Sequence, residues 1–388
     1  MKKFLGIMLS CLMLTQSILP VRAEGESVNI ESPSAILMEA STGTILYEKA
    51  ADEKRSPASV TKIMTALLIL EAVDSGKIKL SDEVTTSAHA KSMGGSQVYL
   101  EEGEKQTVDT LLKCIMIASG NDAAVTMAEY IGGTEQEFVS RMNQRAKELG
   151  MKNTNFVDCC GLTEDTGHYT TARDIAIMSR ELITRFPQIY DYTTVWMENI
   201  THVTRQGSKE FGLTNTNKLL RSYDGCKGLK TGSTSVAKYC LSATAVRNGI
   251  ELISVIMTAP DSKTRFANAA ELMNYGFGKC ALYTDENKEK LPDIPIRRGV
   301  EKTAPCRCEG EFRYLDTKGA DLSSIRKEVR LSEVIEAPAQ KGDPVGEIGY
   351  FLDEKKIGTV KILLDKDITK AGFMDCLKEI WEDKILPF

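Results

Sequence analysis

Over residues 35–49, "AILMEASTGTILYEK", apolar and polar positions alternate around Ser-Thr-Gly, the period of two half-buried strands in a β-hairpin. A clearer hairpin follows at 240–259, "CLSATAVRNGIELISVIMTA", where Asn248-Gly249 separates two β-rich runs. Between them the period lengthens to that of helices, as in "TVDTLLKCIMIASGNDAAVTMAEYIGG" and "EQEFVSRMNQRAKELG", the second stopped by Gly150. Strands at both ends of a helical region predict an α+β layer fold whose sheet joins N- and C-terminal parts. From residue 281 to 367 short alternating runs are split by Gly, Pro and Asp, the pattern of a small all-β domain. Residues 368–388 place Phe373, Leu377, Ile380, Trp381 and Ile385 on one helical face. That amphipathic helix has two readings, packed on the β-domain or lying on a membrane surface. The membrane surface is the favoured reading, although Asp375, Glu379, Glu382 and Asp383 lower attraction to anionic lipid.

The first 23 residues have a different character: two lysines, an apolar stretch from Phe4 to Leu19, and small side chains at Val21 and Ala23. This is the pattern of a secretory signal cut after Ala23, with an uncleaved anchor as the alternative. The apolar stretch falls short of the ~20 residues that span a bilayer. Without Lys2, Lys3 and Arg22 the 49 basic residues become 46 against 54 acidic ones, a net charge near −8 that argues against a nucleic-acid partner. Of 10 cysteines Cys11 leaves with the signal, and the odd number remaining cannot all pair within one chain. With no C-x-x-C and no framework of small loops, they read as buried apolar residues in a chain exposed to reducing or anaerobic conditions. The bounds predicted are therefore 1–23 for the signal, 24–280 for a first domain, 281–367 for the β-domain and 368–388 for the tail.

Candidate chemistry begins at "RSPASVTKIMTALLIL", residues 55–70. Pro57 and Ser59 are suited to a helix start, and the apolar residues after Lys62 cover every face, as in a central buried helix. Ser59 and Lys62, three apart, share one side at its N-terminal end. Desolvation there lowers a lysine's pKa, and its neutral amine can take the proton of a neighbouring hydroxyl. The S-x-x-K pattern alone is weak, for it recurs at Ser235 and Ser324, but neither of those opens an apolar helix. Two further elements stand downstream. Ser119-Gly120-Asn121 closes an apolar run, and Lys230-Thr231-Gly232 leads into a strand, where the bare Gly232 lets a ligand approach the backbone.

In that order S-x-x-K, S-x-N and K-T-G resemble the penicillin-recognising serine enzymes, penicillin-binding proteins and serine β-lactamases. The stretches "GHYTTARDIA" and "GLKTGSTS", with those quoted above, are similar to the low-molecular-mass D-alanyl-D-alanine carboxypeptidases over roughly residues 30–280. The resemblance implies a penicillin-binding/serine β-lactamase-like catalytic domain of α+β class, an antiparallel sheet with flanking helices, followed by the β-domain. It implies removal of the terminal D-alanine from peptidoglycan pentapeptides of the cell wall or the spore cortex by an exported enzyme, with β-lactams as covalent inhibitors. Neither cofactor nor metal is required.

Carried over residue by residue, the resemblance makes Ser59 the acylated nucleophile and Lys62 its base. Ser119 relays the proton to the departing D-alanine, and Asn121 orients Lys62 and binds the substrate backbone. Lys230 supplies positive potential, and Thr231 a hydroxyl for the terminal carboxylate. The amides of Ser59 and Ser233 form the oxyanion hole. Arg265 falls where the family has a carboxylate-binding arginine, with a solvated surface arginine as its alternative. Position 233, often histidine in the family, and "VDCCGL", usually with asparagine, are departures. His168 reads as structural. Two rivals stand beside the carboxypeptidase: a β-lactamase using Glu164 for deacylation, and an inactive wall- or coat-binding protein keeping the fold.

Overall fold

The computed structural model describes residues 28–381 apart from 206, 376, 379 and 380. The signal expected at 1–23 and the end of the tail therefore lie outside the described residues. Strands β1 (Ser34–Glu39), β2 (Ile45–Lys49), β3 (Cys226–Thr234), β4 (Lys238–Arg247) and β5 (Ile250–Ala259) form one antiparallel sheet in the order β2-β1-β5-β4-β3. The N-terminal strand β1 docks along β5, Ser34 opposite Met257, so the sheet joins the two ends of the domain as the pattern predicts. Asn248 (φ 51°) and Gly249 (φ 76°) turn β4 into β5 with the two left-handed residues that a tight hairpin demands.

Both faces of this sheet are covered. On β1, Ile36 and Met38 face a helical layer, while Ala35 and Leu37 face α6 (Ser262–Lys279) through Leu272 and Met273. At the centre of the helical layer runs α1 (Lys62–Asp74), with Ile63, Met64, Ala66, Leu67, Ile69 and Leu70 all buried. Burying such side chains contributes about 1.5–3 kcal/mol each for the large ones, which offsets the desolvation of Lys62 in the same helix. Around it pack α2 (Val108–Met116), α3 (Asn121–Gly132), α4 (Glu135–Glu148) and α5 (Ala172–Arg185).

One correction concerns the start of α1. Ser59 lies in a 3₁₀ turn, Ala58–Thr61, and the α-helix begins only at Lys62. A 3₁₀ turn has three residues per turn, so positions i and i+3 eclipse, and Ser59 comes directly under Lys62.

From residue 281 to 370 the chain is mostly strand and turn, with one 3₁₀ turn at Leu322–Ser324. A four-stranded sheet runs Cys306–Cys308, Lys355–Leu364, Pro344–Leu352, Arg326–Leu331, and smaller sheets pack on it around Phe312, Ile348, Tyr350, Ile362 and Leu364. The tail does not pack on this domain with its apolar face: Phe373, Met374, Leu377 and Trp381 are exposed. No helix among the described residues is long and apolar enough to cross a membrane. The eight described cysteines are free.

Candidate active site

Lys62 is fully buried, and its Nζ lies 3.1 Å from Ser59 Oγ, 2.6 Å from Asn121 Oδ1 and 2.9 Å from the Cys160 carbonyl oxygen. Burial pulls its pKa below the ordinary lysine range, against the opposing pull of nearby negative groups that include Asp158 and Asp122. The contact set suits the neutral amine. Its two hydrogens go to the Asn121 amide oxygen and the Cys160 carbonyl, which leaves the lone pair for the Ser59 hydroxyl proton.

Each partner is held by the fold. Asn121 opens α3, its amide Nδ2 donating to the Gly94 carbonyl and its backbone N–H to Ser96. The next residue, Asp122, accepts from the N–H groups of Val98 and Leu100, tying the 93–104 loop to the same helix end. Cys160 is aimed by a residue that sequence reasoning missed. The Asp158 carboxylate accepts from the backbone N–H groups of Cys160, Gly161, Leu162 and Thr163 and curls the loop around itself. An aspartate opening a turn that contains Gly161 (φ 75°) was the available signal. A Cβ on Gly161 would fall 1.8 Å from the Ala58 carbonyl oxygen, so this loop lies directly on the turn that carries Ser59.

Ser119 is 3% exposed and left-handed at φ 63°, and Ala58, just before Ser59, is left-handed at φ 48°. Such conformations cost about 1–3 kcal/mol each and collect where a side chain must be presented in a fixed direction.

The third wall is β3, the edge strand of the large sheet. Gly232 has the close backbone approach its sequence context predicts, but the neighbour is this chain itself. A Cβ there would lie 2.7 Å from the Pro57 carbonyl and 3.0 Å from the amide nitrogens of Ser59 and Val60. The strand thus crosses the Ser59 turn at van der Waals distance, and Ser233, the next residue, is exposed. Lys230 is buried, with a pKa pulled well below the ordinary range by burial and by the charges of Lys62 and Arg265. Thr231 is buried too, and its hydroxyl shares a 2.6 Å hydrogen bond with that of Thr216.

Arg265 is not a surface arginine. It is 6% exposed, with Nη1 donating to the carbonyls of Gly232 (3.2 Å) and Cys240 (3.1 Å) and Nη2 to Ser262 Oγ (3.2 Å), and its Nε has no partner among the described residues. Its guanidinium packs against Phe266 and Tyr239, bracing the K-T-G strand. Burial lowers its pKa to about 10.

His168 bridges two backbone segments. Nδ1 accepts from the Val157 N–H at 3.0 Å, so the hydrogen sits on Nε2 and goes to Thr61 Oγ1 at 2.9 Å, which in turn donates to the Ala58 carbonyl. Glu164 is exposed and accepts from Ser235 Oγ at 2.8 Å, outside the partner set of Lys62.

Residues 21–261 match the family described as D-alanyl-D-alanine carboxypeptidase, and residues 285–370 match the C-terminal domain of penicillin-binding protein 5. The chain is 42% identical over 354 residues to D-alanyl-D-alanine carboxypeptidase DacF of Bacillus subtilis, covering 91% of this chain and 90% of that one. It is 32% identical to the carboxypeptidase DacC of Escherichia coli, covering 94% and 90%. Penicillin-binding protein 5 of Haemophilus influenzae has the same fold, with a TM-score of 0.69 at 29% identity over 88% of this chain and 98% of that one. On sequence, fold and the order of its three motifs, this chain belongs to the D-alanyl-D-alanine carboxypeptidase family.

Proposed function

We propose that this chain is a serine-type D-alanyl-D-alanine carboxypeptidase that trims the terminal D-alanine from peptidoglycan pentapeptide stems, and a target of penicillin. The observation that carries the reading is the buried Lys62 Nζ 3.1 Å from Ser59 Oγ, with the Asn121 amide oxygen at 2.6 Å and the Cys160 carbonyl at 2.9 Å as its other partners. In this reading Ser59 Oγ attacks the carbonyl carbon of the penultimate D-alanine while its proton passes to Lys62 Nζ. The negative oxygen that develops is met by the amides of Ser59 and Ser233. As the C–N bond breaks, the proton moves from Lys62 through the Ser119 hydroxyl to the departing D-alanine nitrogen. Water then cleaves the Ser59 ester, releasing the shortened stem with a new carboxylate and restoring the Ser59 hydroxyl. The substrate's terminal carboxylate falls to Thr231, with Lys230 and Arg265 adding positive potential and Asn121 binding the substrate backbone.

The work is extracytoplasmic in this reading, after removal of residues 1–23. Residues 24–280 form the catalytic domain and 281–367 the β-domain. The exposed Phe373, Leu377 and Trp381 support a peripheral membrane contact by the tail. The β-lactamase rival loses ground because Glu164 is held by Ser235 and not by the catalytic pair.

The test is the intact mass of the mature protein after benzylpenicillin, beside Ser59→Ala. A persistent one-to-one adduct that Ser59→Ala lacks supports the reading. An adduct that survives in Ser59→Ala overturns the nucleophile. Rapid return of free enzyme with hydrolysed drug favours the lactamase, and no adduct with either protein favours an inactive binding protein.

A further inference from the structure

Thr216 belongs to none of the three motifs, yet its hydroxyl is the one side-chain partner of Thr231 among the described residues, at 2.6 Å. Thr216 itself is exposed, and Thr231 is 6% exposed. The segment that presents it is unusually fixed for an exposed residue. Asn215 donates from Nδ2 to the carbonyls of Thr193 and Val195, and its Oδ1 accepts from the Asn217 N–H. Asn217 accepts in turn from the Leu219 N–H. Both asparagines are buried, so Thr216 is clamped between two anchored neighbours just after the hairpin Met197–Thr204/Gly207–Thr214.

We propose that Thr216 is a positioning residue for carboxylate recognition, acting through Thr231; this rests on the carboxypeptidase reading. A threonine hydroxyl has one hydrogen and two lone pairs. When Thr216 donates to Thr231, the Thr231 hydrogen is left free for an anion in the groove. The chain Thr216 O–H to Thr231 O–H to carboxylate has every dipole aligned, which strengthens the final, charge-assisted bond. Without Thr216, the Thr231 hydroxyl turns freely and must be ordered by the substrate.

The test pairs two acyl-D-alanyl thiolesters, one whose leaving group ends in a free carboxylate and its methyl ester, on wild-type enzyme and on Thr216→Val and Thr216→Ser. The valine keeps the shape of the side chain without the hydroxyl, and the serine keeps the hydroxyl. Expected is a loss of about tenfold in kcat/KM for Thr216→Val on the free carboxylate, mainly in KM, the size of one charged hydrogen bond weakened. On the methyl ester the change stays under about twofold, and Thr216→Ser restores the discrimination. Equal losses on both substrates, or none on either, overturn the proposal, and melting curves identify a valine variant that has simply unfolded; Thr216→Ser then decides, for loss of discrimination there also overturns it. A wild-type enzyme that does not prefer the carboxylate overturns the carboxypeptidase reading itself.

Discussion

Gly232→Ala adds one methyl group where the K-T-G strand crosses the Ser59 turn. Gly232 is not in the left-handed region, so the backbone can accept alanine and the cost is steric. The new Cβ would meet the Pro57 carbonyl at 2.7 Å and the amide nitrogens of Ser59 and Val60 at 3.0 Å, all backbone atoms with no rotamer to yield. Ordinary contact begins at 3.4 Å, so β3 must retreat by roughly 0.7 Å. A misplacement of about 1 Å in a catalytic constellation costs about 10²-fold, and loss of one oxyanion donor about 10²–10³-fold. The destabilisation expected from overpacking is only about 1–3 kcal/mol. The expected outcome is a fall of about 10²-fold in the second-order rate of acylation by a fluorescent penicillin, in a protein that still melts cooperatively a few degrees lower. Gly278→Ala, with nothing within 4 Å of the added methyl, serves as the matched control and should acylate normally. A Gly232→Ala enzyme that acylates within twofold of wild type would refute the crossing geometry.

Two further predictions concern protons. Burial first, then the charges of Lys62 and Arg265, pull the Lys230 pKa down. Because such repulsion is reciprocal wherever Lys230 carries its charge, Lys230→Gln should raise the Lys62 pKa and move the rising limb of the acylation–pH profile to higher pH, and an unmoved limb removes the coupling. Burial lowers the His168 pKa below 6.5, so the unfolded chain takes up its proton first and His168 costs stability progressively as pH falls through 6.5 toward the folded value. The stability gap between wild type and His168→Gln, from denaturant midpoints between pH 8 and 4, should therefore shrink with acidity, and a constant gap would show the ring is not held neutral.

What the sequence disclosed follows from how local each signal is. Asn248-Gly249 and the all-round apolar α1 are written in adjacent residues, and both elements stand where the pattern predicts. The three motifs were legible because each carries its own chemistry in three or four positions. Asp158, Thr216 and the bracing of β3 by Arg265 were not, because each acts on a segment distant in the chain or through backbone atoms that no residue pattern records. The hairpin Met197–Thr204/Gly207–Thr214 was equally silent: its exposed, mixed polar strands lack an apolar period.

An edge strand is a hazard for any exported protein, since its unpaired N–H and C=O groups invite strands from other molecules. Here β3 is that edge: Gly228 to Gly232 are buried, the turn carrying Ser59 lies against the strand at Gly232 and Thr193 against it at Gly228, while Ser233 is exposed and Cys226, Lys227 and Thr234 are half-buried. The nucleophile's own platform therefore doubles as the guard of the sheet. Damage that loosens this platform frees an adhesive margin as well as disabling the chemistry, so inactive forms of the enzyme should also be the ones that clump, and solubility becomes a proxy for an intact active site.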